Sequence, residues 1–258
     1  MLGAIAGDII GSVYEHQPIK TTDFPLFQEK SRFTDDTVLT VAIAEAILEG
    51  KPYGECLQEF GRAYPRAGYG GKFYQWIFAE EIRPYHSWGN GAAMRVSPVG
   101  FAFEDEMTVL LEAQQTAAVS HNHPEGIKGA QATAMAVFLA RQGQPKAVIR
   151  EEISQRFGYD LDRHVEEIRP HYQFDVSCQG TVPEALAAFL DAEDYQDTVR
   201  KAVSLGGDSD TLACIAGGIA HAYYQEIPPQ IIHETRARLP DRMLEVLDHF
   251  LDTFEISR

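Results

Sequence analysis

Apolar residues recur at the helical period along almost the whole chain, and this spacing restricts the fold more than any other feature. Segments 124–143 and 240–254 carry apolar or small side chains at steps of three and four residues. Such spacing places these side chains on one face of a helix. Strand-like alternation never extends beyond four or five positions, and the weak segment 171–178 is the best strand candidate. The pattern therefore predicts an all-α fold.

Two further helices are predicted from the residues at their ends. Residues 37–50 form an apolar run that closes with glycine, and residues 145–158 open with proline and close with glycine. Near the start of the chain, Gly3, Gly7 and Gly11 recur every four residues. This spacing leaves a groove without side chains, so we expect another helix or a loop to approach closely there.

Composition predicts one globular domain over residues 1–258, with 45% hydrophobic and 23% charged residues. A formal charge of -16 without any Lys/Arg cluster argues against binding to nucleic acid or acidic membranes. No basic leader and no apolar run of roughly 18 residues is present, so we expect a cytoplasmic protein. Cys56, Cys178 and Cys214 are widely spaced, which predicts reduced, buried thiols. No heptad seam is visible, so a monomer is expected.

Two acidic clusters precede long apolar runs. The first is TDDT at 34–37, and the second is DSDT at 208–211, directly after two glycines. Either cluster alone is typical of a helix start, where Ser, Thr or Asp caps the backbone and an acid favours the helix dipole. One acid is enough for a cap, however, and both following helices are too apolar for the surface. The pair therefore suggests that the clusters have a further role.

If the four carboxylates converged, each pair about 5 Å apart would repel by about 3 kcal/mol at an effective dielectric near 20. The acids must then bind protons or be held by cations. Two divalent cations would neutralise four Asp charges, and a set of oxygen ligands suits Mg²⁺ or Mn²⁺ better than Zn²⁺. A calcium EF-hand is disfavoured because Ile219 stands where the loop beginning at Asp208 needs Glu. The residues alone indicate a possible dinuclear hydrolase.

Five motifs together resemble the ADP-ribosylglycohydrolase family, and they occur in the family's order. They are GAIAGDIIGSVYE at 3–15, FTDDT at 33–37, WGNGAAMRVSPVG at 88–100, SHNHPEGIKGAQA at 120–132 and GGDSDTLACIAGGIAHA at 206–222. The resemblance implies a compact, orthogonal multi-helix fold with two Mg²⁺ or Mn²⁺ ions in a central cleft. It also implies hydrolysis of the glycosidic bond between ADP-ribose and a modified protein side chain or small molecule, with ADP-ribose as product.

The resemblance further implies which residues hold metal and which catalyse. The implied metal ligands are Thr34, Asp35, Asp36, Asp208, Asp210 and Thr211. Three carboxylates remain candidates for the acid or base that moves a proton, namely Glu15, Asp36 and Asp210. Without the resemblance, Glu15 would be interpreted as a solvated side chain at a helix end.

The implied substrate-binding residues lie in two of the motifs. Small residues in SWGNG allow backbone amides to approach a pyrophosphate, and the resemblance implies that this loop contacts the diphosphate and its neighbouring ribose through Ser87, Gly89, Asn90 and Gly91. Met94 and Arg95 are expected to hold the shape of this loop. His121 is expected near the phosphates or the distal ribose, and His123 is expected to support its loop. Trp88 either stacks on the ligand or is an ordinary core residue.

Some alternatives stay open at this point. The resemblance also allows a non-catalytic ADP-ribose-binding or crystallin-like protein, although the intact acidic clusters argue against it, and the carboxylate chemistry alone would equally suit a dinuclear phosphoesterase. The acceptor can be arginine, serine, a nucleobase or a small molecule, and the choice between Mg²⁺ and Mn²⁺ is not fixed. Discrimination among acceptors must come from loops at the cleft edge, for which segments 16–33, 66–87 and 159–180 are expected.

Overall fold

The computed structural model describes residues 1–257, and helices dominate this range. The helices are α1 (Leu2–Gly11), α2 (Asp35–Glu49), α3 (Tyr53–Ala63), α4 (Gly71–Ile77), α5 (Gly91–Met94), α6 (Ser97–Ala102), α7 (Glu106–Ala118), α8 (Pro124–Arg141), α9 (Lys146–Phe157), α10 (Val165–Ile168), α11 (Cys178–Asp191), α12 (Tyr195–Ser204), α13 (Ser209–Tyr224), α14 (Pro229–Arg236) and α15 (Asp241–Thr253). The predicted all-α fold is confirmed.

The strand candidate at 171–178 is wrong. Within residues 1–257 its only β-type pairing is an isolated antiparallel bridge between Gly89 and Ser177. The Asn90 amide donates to the Val176 carbonyl at 2.8 Å, and the Cys178 amide donates to the Trp88 carbonyl at 2.9 Å. Pairing cannot continue because α11 begins at Cys178 and α5 begins at Gly91.

The four predicted helices are present as α2, α8, α9 and α15, with ends shifted by one or two residues. The largest change at a start is in α2, which begins at Asp35. Thr34 caps this helix, since its side chain accepts a hydrogen bond from the Asp36 amide. Both acids of the first cluster therefore lie inside the first helical turn.

The glycine groove on α1 is filled by α13, which confirms the expected close approach. The two helices run antiparallel, with Gly3 against Gly217, Gly7 against Ala213 and Gly11 against Ser209. A Cβ added to any of these three α1 glycines would overlap the backbone of α13. The backbones can approach to this distance only because the side chains are missing.

Helix α13 runs through the core, where it packs against α1, α8, α11 and α12. Its residues from Ser209 to Ala222 are all buried, as are all residues of α1. The three cysteines are buried and free, as predicted. No helix within residues 1–257 is long and apolar enough to cross a membrane. The packing brings the N-terminal ends of α2 and α13 together beside the second half of α1.

Candidate active site

A cleft of about 480 Å³ opens where α2 and α13 begin. Its walls include the acids of both clusters, the loop from Ser87 to Gly91, and His121. The two acidic clusters, which are about 170 residues apart in sequence, therefore meet in one cavity. Their convergence, on which the sequence interpretation depended, is confirmed by the packing of α2 and α13.

The carboxylates form two groups that share one residue. The inner group consists of Asp8, Asp36 and Asp210, which are all buried, and the outer group consists of Glu15, Asp208 and Asp210. Within each group, one oxygen from each residue lies within 4.8 Å of the others. Asp210 belongs to both groups, so its carboxylate joins them.

Asp8 was missed by the sequence analysis. Its carboxylate accepts hydrogen bonds from the Thr34 amide at 2.9 Å, the Thr34 hydroxyl at 2.7 Å and the Thr37 amide at 3.1 Å. It also accepts a short hydrogen bond from the Thr37 hydroxyl. These four bonds fix α1 against the first turn of α2. The available signal was a single acid in an otherwise apolar, glycine-rich helix, where a charged side chain requires a partner.

The two predicted threonine ligands contact carboxylates. The Thr34 hydroxyl donates to Asp8, and the Thr211 hydroxyl donates to Asp36 Oδ2 at 3.3 Å. Asp35 lies on the cleft wall but belongs to neither carboxylate group. Its Oδ1 faces the segment around Gly68 and lies 3.4 Å from the position that a Cβ added to Gly68 would occupy. The structure thus separates Asp35 from the four Asp residues that cluster.

Burial and mutual repulsion strongly disfavour the charged forms of these acids. Burial, followed by repulsion from neighbouring carboxylates, raises the pKa of Asp36 and of Asp210 well above the usual range. Burial and the Asp8 charge raise the pKa of Asp35 to about 8. In addition, Asp36 Oδ1 is buried and has no hydrogen-bond partner among residues 1–257. Divalent cations would satisfy this oxygen and compensate the charges, and the all-oxygen donor set fits Mg²⁺ or Mn²⁺.

The loop side of the cleft contains five of the predicted substrate-binding residues: Ser87, Gly89, Asn90, Gly91 and His121. The side chain of Asn90 does not face a free space, because its amide donates to Asp208 Oδ2 at 2.7 Å and to Thr181 Oγ1 at 3.1 Å. Asn90 therefore connects this loop to the outer carboxylate group. We did not anticipate that link from the sequence.

Trp88 lies apart from the other residues of its motif. It is 52% exposed and is not among the residues that line the cleft, so the core alternative is wrong. Its ring packs edge-on against His123 at 5.5 Å between centroids. His123 supports its own loop as predicted, because its Nδ1 accepts a hydrogen bond from the Glu125 amide at 3.1 Å. Substrate contact by Trp88 stays a prediction.

All three segments expected at the cleft edge contribute to its walls. Segment 16–33 supplies His16 and Arg32, and segment 159–180 supplies Phe174 and Val176. Segment 66–87 supplies the largest share: Ala67, Gly68, Gly70, Gly71, Lys72, Phe73, Tyr85 and Ser87. Residues that line the cleft without belonging to a motif therefore come mainly from the predicted edges.

Comparison with known proteins agrees with this geometry. The family model described as ADP-ribosylglycohydrolase matches residues 1–256. ADP-ribosylhydrolase ARH3 of Mus musculus is 27% identical over 311 aligned residues, covering 88% of this chain and 84% of the relative. The Gallus gallus protein of the same name is 25% identical over 315 aligned residues, which cover 89% of this chain and 86% of the relative. A solved structure named ADP-ribosylglycohydrolase-related protein complex shares the fold, with a TM-score of 0.71 at 23% identity and coverage of 100% of this chain and 97% of that one. The chain therefore belongs to the ADP-ribosylglycohydrolase family of glycosidic-bond hydrolases.

Proposed function

We propose that this protein hydrolyses the glycosidic bond between ADP-ribose and an acceptor, releasing ADP-ribose, and that it needs divalent cations to do so. The observation that carries the proposal is the pair of carboxylate groups sharing Asp210 at one end of an open cleft. The cleft volume of about 480 Å³ falls in the range of small-molecule sites. Family membership supplies the bond type, and the names of the relatives suggest ADP-ribosylated substrates.

The Asp residues of the inner and outer carboxylate groups are the proposed ligands for two Mg²⁺ or Mn²⁺ ions, and Glu15 of the outer group is kept for proton transfer. Asp210 would contribute to both, which accounts for its position between the other acids. Thr34, Asp35 and Thr211 complete the set implied by the family resemblance. Bound there, divalent cations supply Lewis acidity and an ordered water for hydrolysis. The protein's own contribution is to hold these oxygens on three packed helix segments before substrate arrives.

Glu15 is the proposed proton carrier among the three candidates. Its side chain is 26% exposed, whereas Asp36 and Asp210 are buried and each lies in the inner group. Burial and the Asp208 charge raise the pKa of Glu15, which moves it toward the range useful for general acid–base catalysis. An acid at the rim can exchange its proton with solvent after each turnover, while the enclosed Asp residues are better suited to hold cations.

The loop at 87–91 is the proposed binding site for the diphosphate. Gly89 and Gly91 leave its backbone accessible from the cleft, as a close approach of phosphate oxygens requires. His121 stands behind these glycines, with its Nε2 3.5 Å and 3.1 Å from the positions that a Cβ on Gly89 or Gly91 would occupy. The acceptor would then extend past the outer carboxylate group toward the cleft edge.

The deciding experiment is product analysis on a panel of ADP-ribosylated substrates linked through arginine, serine or an O-acyl group. We expect free ADP-ribose from at least one of them, loss of turnover after treatment with EDTA, and recovery with Mg²⁺ or Mn²⁺. Release of AMP and ribose phosphate would indicate a phosphoesterase instead. ADP-ribose binding with no turnover of any substrate would indicate a binding protein, and full turnover after verified metal removal would overturn the cation requirement.

A further inference from the structure

Arg95, directly after α5, is a fully buried cation without an acidic partner. It is 0% exposed, and no carboxylate within residues 1–257 forms an ion pair with it. Its Nη2 donates to the Thr116 carbonyl at 2.7 Å and to the Ser120 hydroxyl at 2.9 Å, while its Nε and Nη1 have no partner among these residues. Burying a charge costs free energy that pairing and hydrogen bonding must offset, so the two hydrogen bonds of Nη2 are the main polar contacts that stabilise Arg95 here.

The Ser120 hydroxyl connects this cation to His121. Ser120 is 0% exposed, and its Oγ lies 2.8 Å from His121 Nδ1. Because a guanidinium can only donate, Ser120 Oγ must accept from Arg95. The hydroxyl has one proton of its own, and His121 Nδ1 is the only acceptor that the described residues place within reach. Ser120 therefore donates to Nδ1, so Nδ1 is the unprotonated nitrogen of the ring.

We propose that Arg95 and Ser120 are positioning residues that hold His121 as the neutral tautomer with its proton on Nε2. The Nε2–H faces the turn formed by Gly89 and Gly91 and has no hydrogen-bond partner within residues 1–257, so it is ready to donate to an anionic group. The inference rests on the proposed function for the identity of that group, which would be a diphosphate oxygen. The assignment of the tautomer itself rests only on the hydrogen bonds.

The surroundings of His121 keep the ring uncharged. Burial, followed by repulsion from Arg95, lowers the pKa of His121 well below the usual range. The two other rings beside it are Phe73 at 6.2 Å and Tyr85 at 5.7 Å, and burial raises the pKa of the Tyr85 hydroxyl to about 12, so neither carries a charge. His121 should thus contribute a fixed donor to binding and take no part in proton transfer.

The direct test is the ¹⁵N NMR spectrum of the histidine rings in the intact protein, with His121 identified from the spectrum of His121→Gln. We expect His121 to be in the Nε2–H form at every pH between about 5 and 9, without a titration step. Detection of the Nδ1–H form, or of protonation of His121 near neutral pH, would overturn the proposal. This measurement needs no substrate, so it stays decisive even if the proposed function fails.

Variants test the relay, meaning the hydrogen bonds from Arg95 to Ser120 and from Ser120 to His121, against a role in packing alone. Ser120→Ala should produce a mixture of His121 tautomers and weaken ADP-ribose binding by about tenfold in calorimetry, as expected for one hydrogen bond. Ser120→Thr keeps the hydroxyl and should restore the wild-type tautomer. The matched control is Thr116→Val, which removes a buried hydroxyl that donates to Ala113 but leaves the Thr116 carbonyl for Arg95. This control should leave the His121 spectrum unchanged.

The outcomes distinguish the relay from the proposed function, which supplies ADP-ribose as the ligand. An unchanged tautomer in Ser120→Ala would refute the relay, whatever the binding result. If Ser120→Ala fails to fold, the wild-type and Ser120→Thr spectra still decide the tautomer. The expected tautomers with no ADP-ribose binding by the wild-type protein would support the relay and contradict the proposed ligand.

Discussion

The carboxylate floor and the loop wall of the same cleft are built in opposite ways. The floor consists of Asp36, Asp208 and Asp210 at the starts of α2 and α13, with Asp8 of α1 behind it, and all four residues are buried. The loop wall joins segments 87–91 and 174–177 through the two amide hydrogen bonds that flank the Gly89–Ser177 bridge. Several side chains on this wall are far more exposed, such as Val176 at 53%. Under the proposed function, hydrolysis would depend on the buried floor, and substrate recognition would depend on the more exposed wall.

Loss of Asp210 is the most severe test of the floor. Asp210→Asn removes the carboxylate that belongs to both groups, so we expect kcat/KM to fall by about a thousandfold, or about 4 kcal/mol of transition-state stabilisation. Asp241→Asn is the control, because this exposed acid lies in the first turn of α15. Activity of Asp210→Asn within tenfold of wild type would contradict the shared role of this residue.

The next largest effect concerns the support beneath the floor. Gly7→Ala would push a methyl group into the Ala213 carbonyl, and we expect the free energy of unfolding to fall by about 3 kcal/mol in urea titrations. Gly71→Ala is the matched control, since a Cβ there meets nothing within 4 Å. Similar stabilities for the two variants would show that the contact between α1 and α13 can relax without cost.

Sequence reasoning succeeded for the floor because both acid clusters begin apolar helices, and buried helix starts are forced together by packing. It failed for Asp8, whose four hydrogen bonds exist only after α1 has docked against α2. It also failed to find the hydrogen bond from Asn90 to Asp208, which joins residues 118 apart. Motifs predicted which residues meet, but the orientation of a polar side chain depends on long-range partners that no local pattern contains.

The raised pKa values of the cleft acids, including Asp35 on the cleft wall, predict a stability that depends on both pH and cations. The pKa of Asp35 is about 8 in the fold, against an ordinary value of 3.8. The folded state therefore holds more protons than the unfolded state between these values, and the stability of the cation-free protein should decrease as pH rises from about 4 to about 8. Because Mg²⁺ or Mn²⁺ at the proposed sites would replace those protons, the gain in Tm on adding cation should be larger at pH 8 than at pH 5.

At pH 8 we expect Tm to rise by about 5 °C or more when the cation is present at a hundred times its Kd. This rise corresponds to about 2.7 kcal/mol of added stability. Differential scanning fluorimetry with Mg²⁺, Mn²⁺ and EDTA measures it, and Asp210→Asn should lose most of the gain. An equal shift at both pH values would contradict competition between protons and cations.

The smallest expected effects compare two exposed aromatic residues on the loop wall. Phe174 and Trp88 are 54% and 52% exposed, but only Phe174 lines the cleft. Phe174→Ala should therefore raise KM about fivefold with little change in kcat, since about 1 kcal/mol of apolar contact is lost. Trp88→Ala should change KM less than about twofold, because its ring packs on His123 outside the cleft. The reverse order would mean that substrate reaches across the outer face of the loop and contacts Trp88, which would support the ligand-stacking alternative for this residue. The cleft would then have to change its shape when substrate binds.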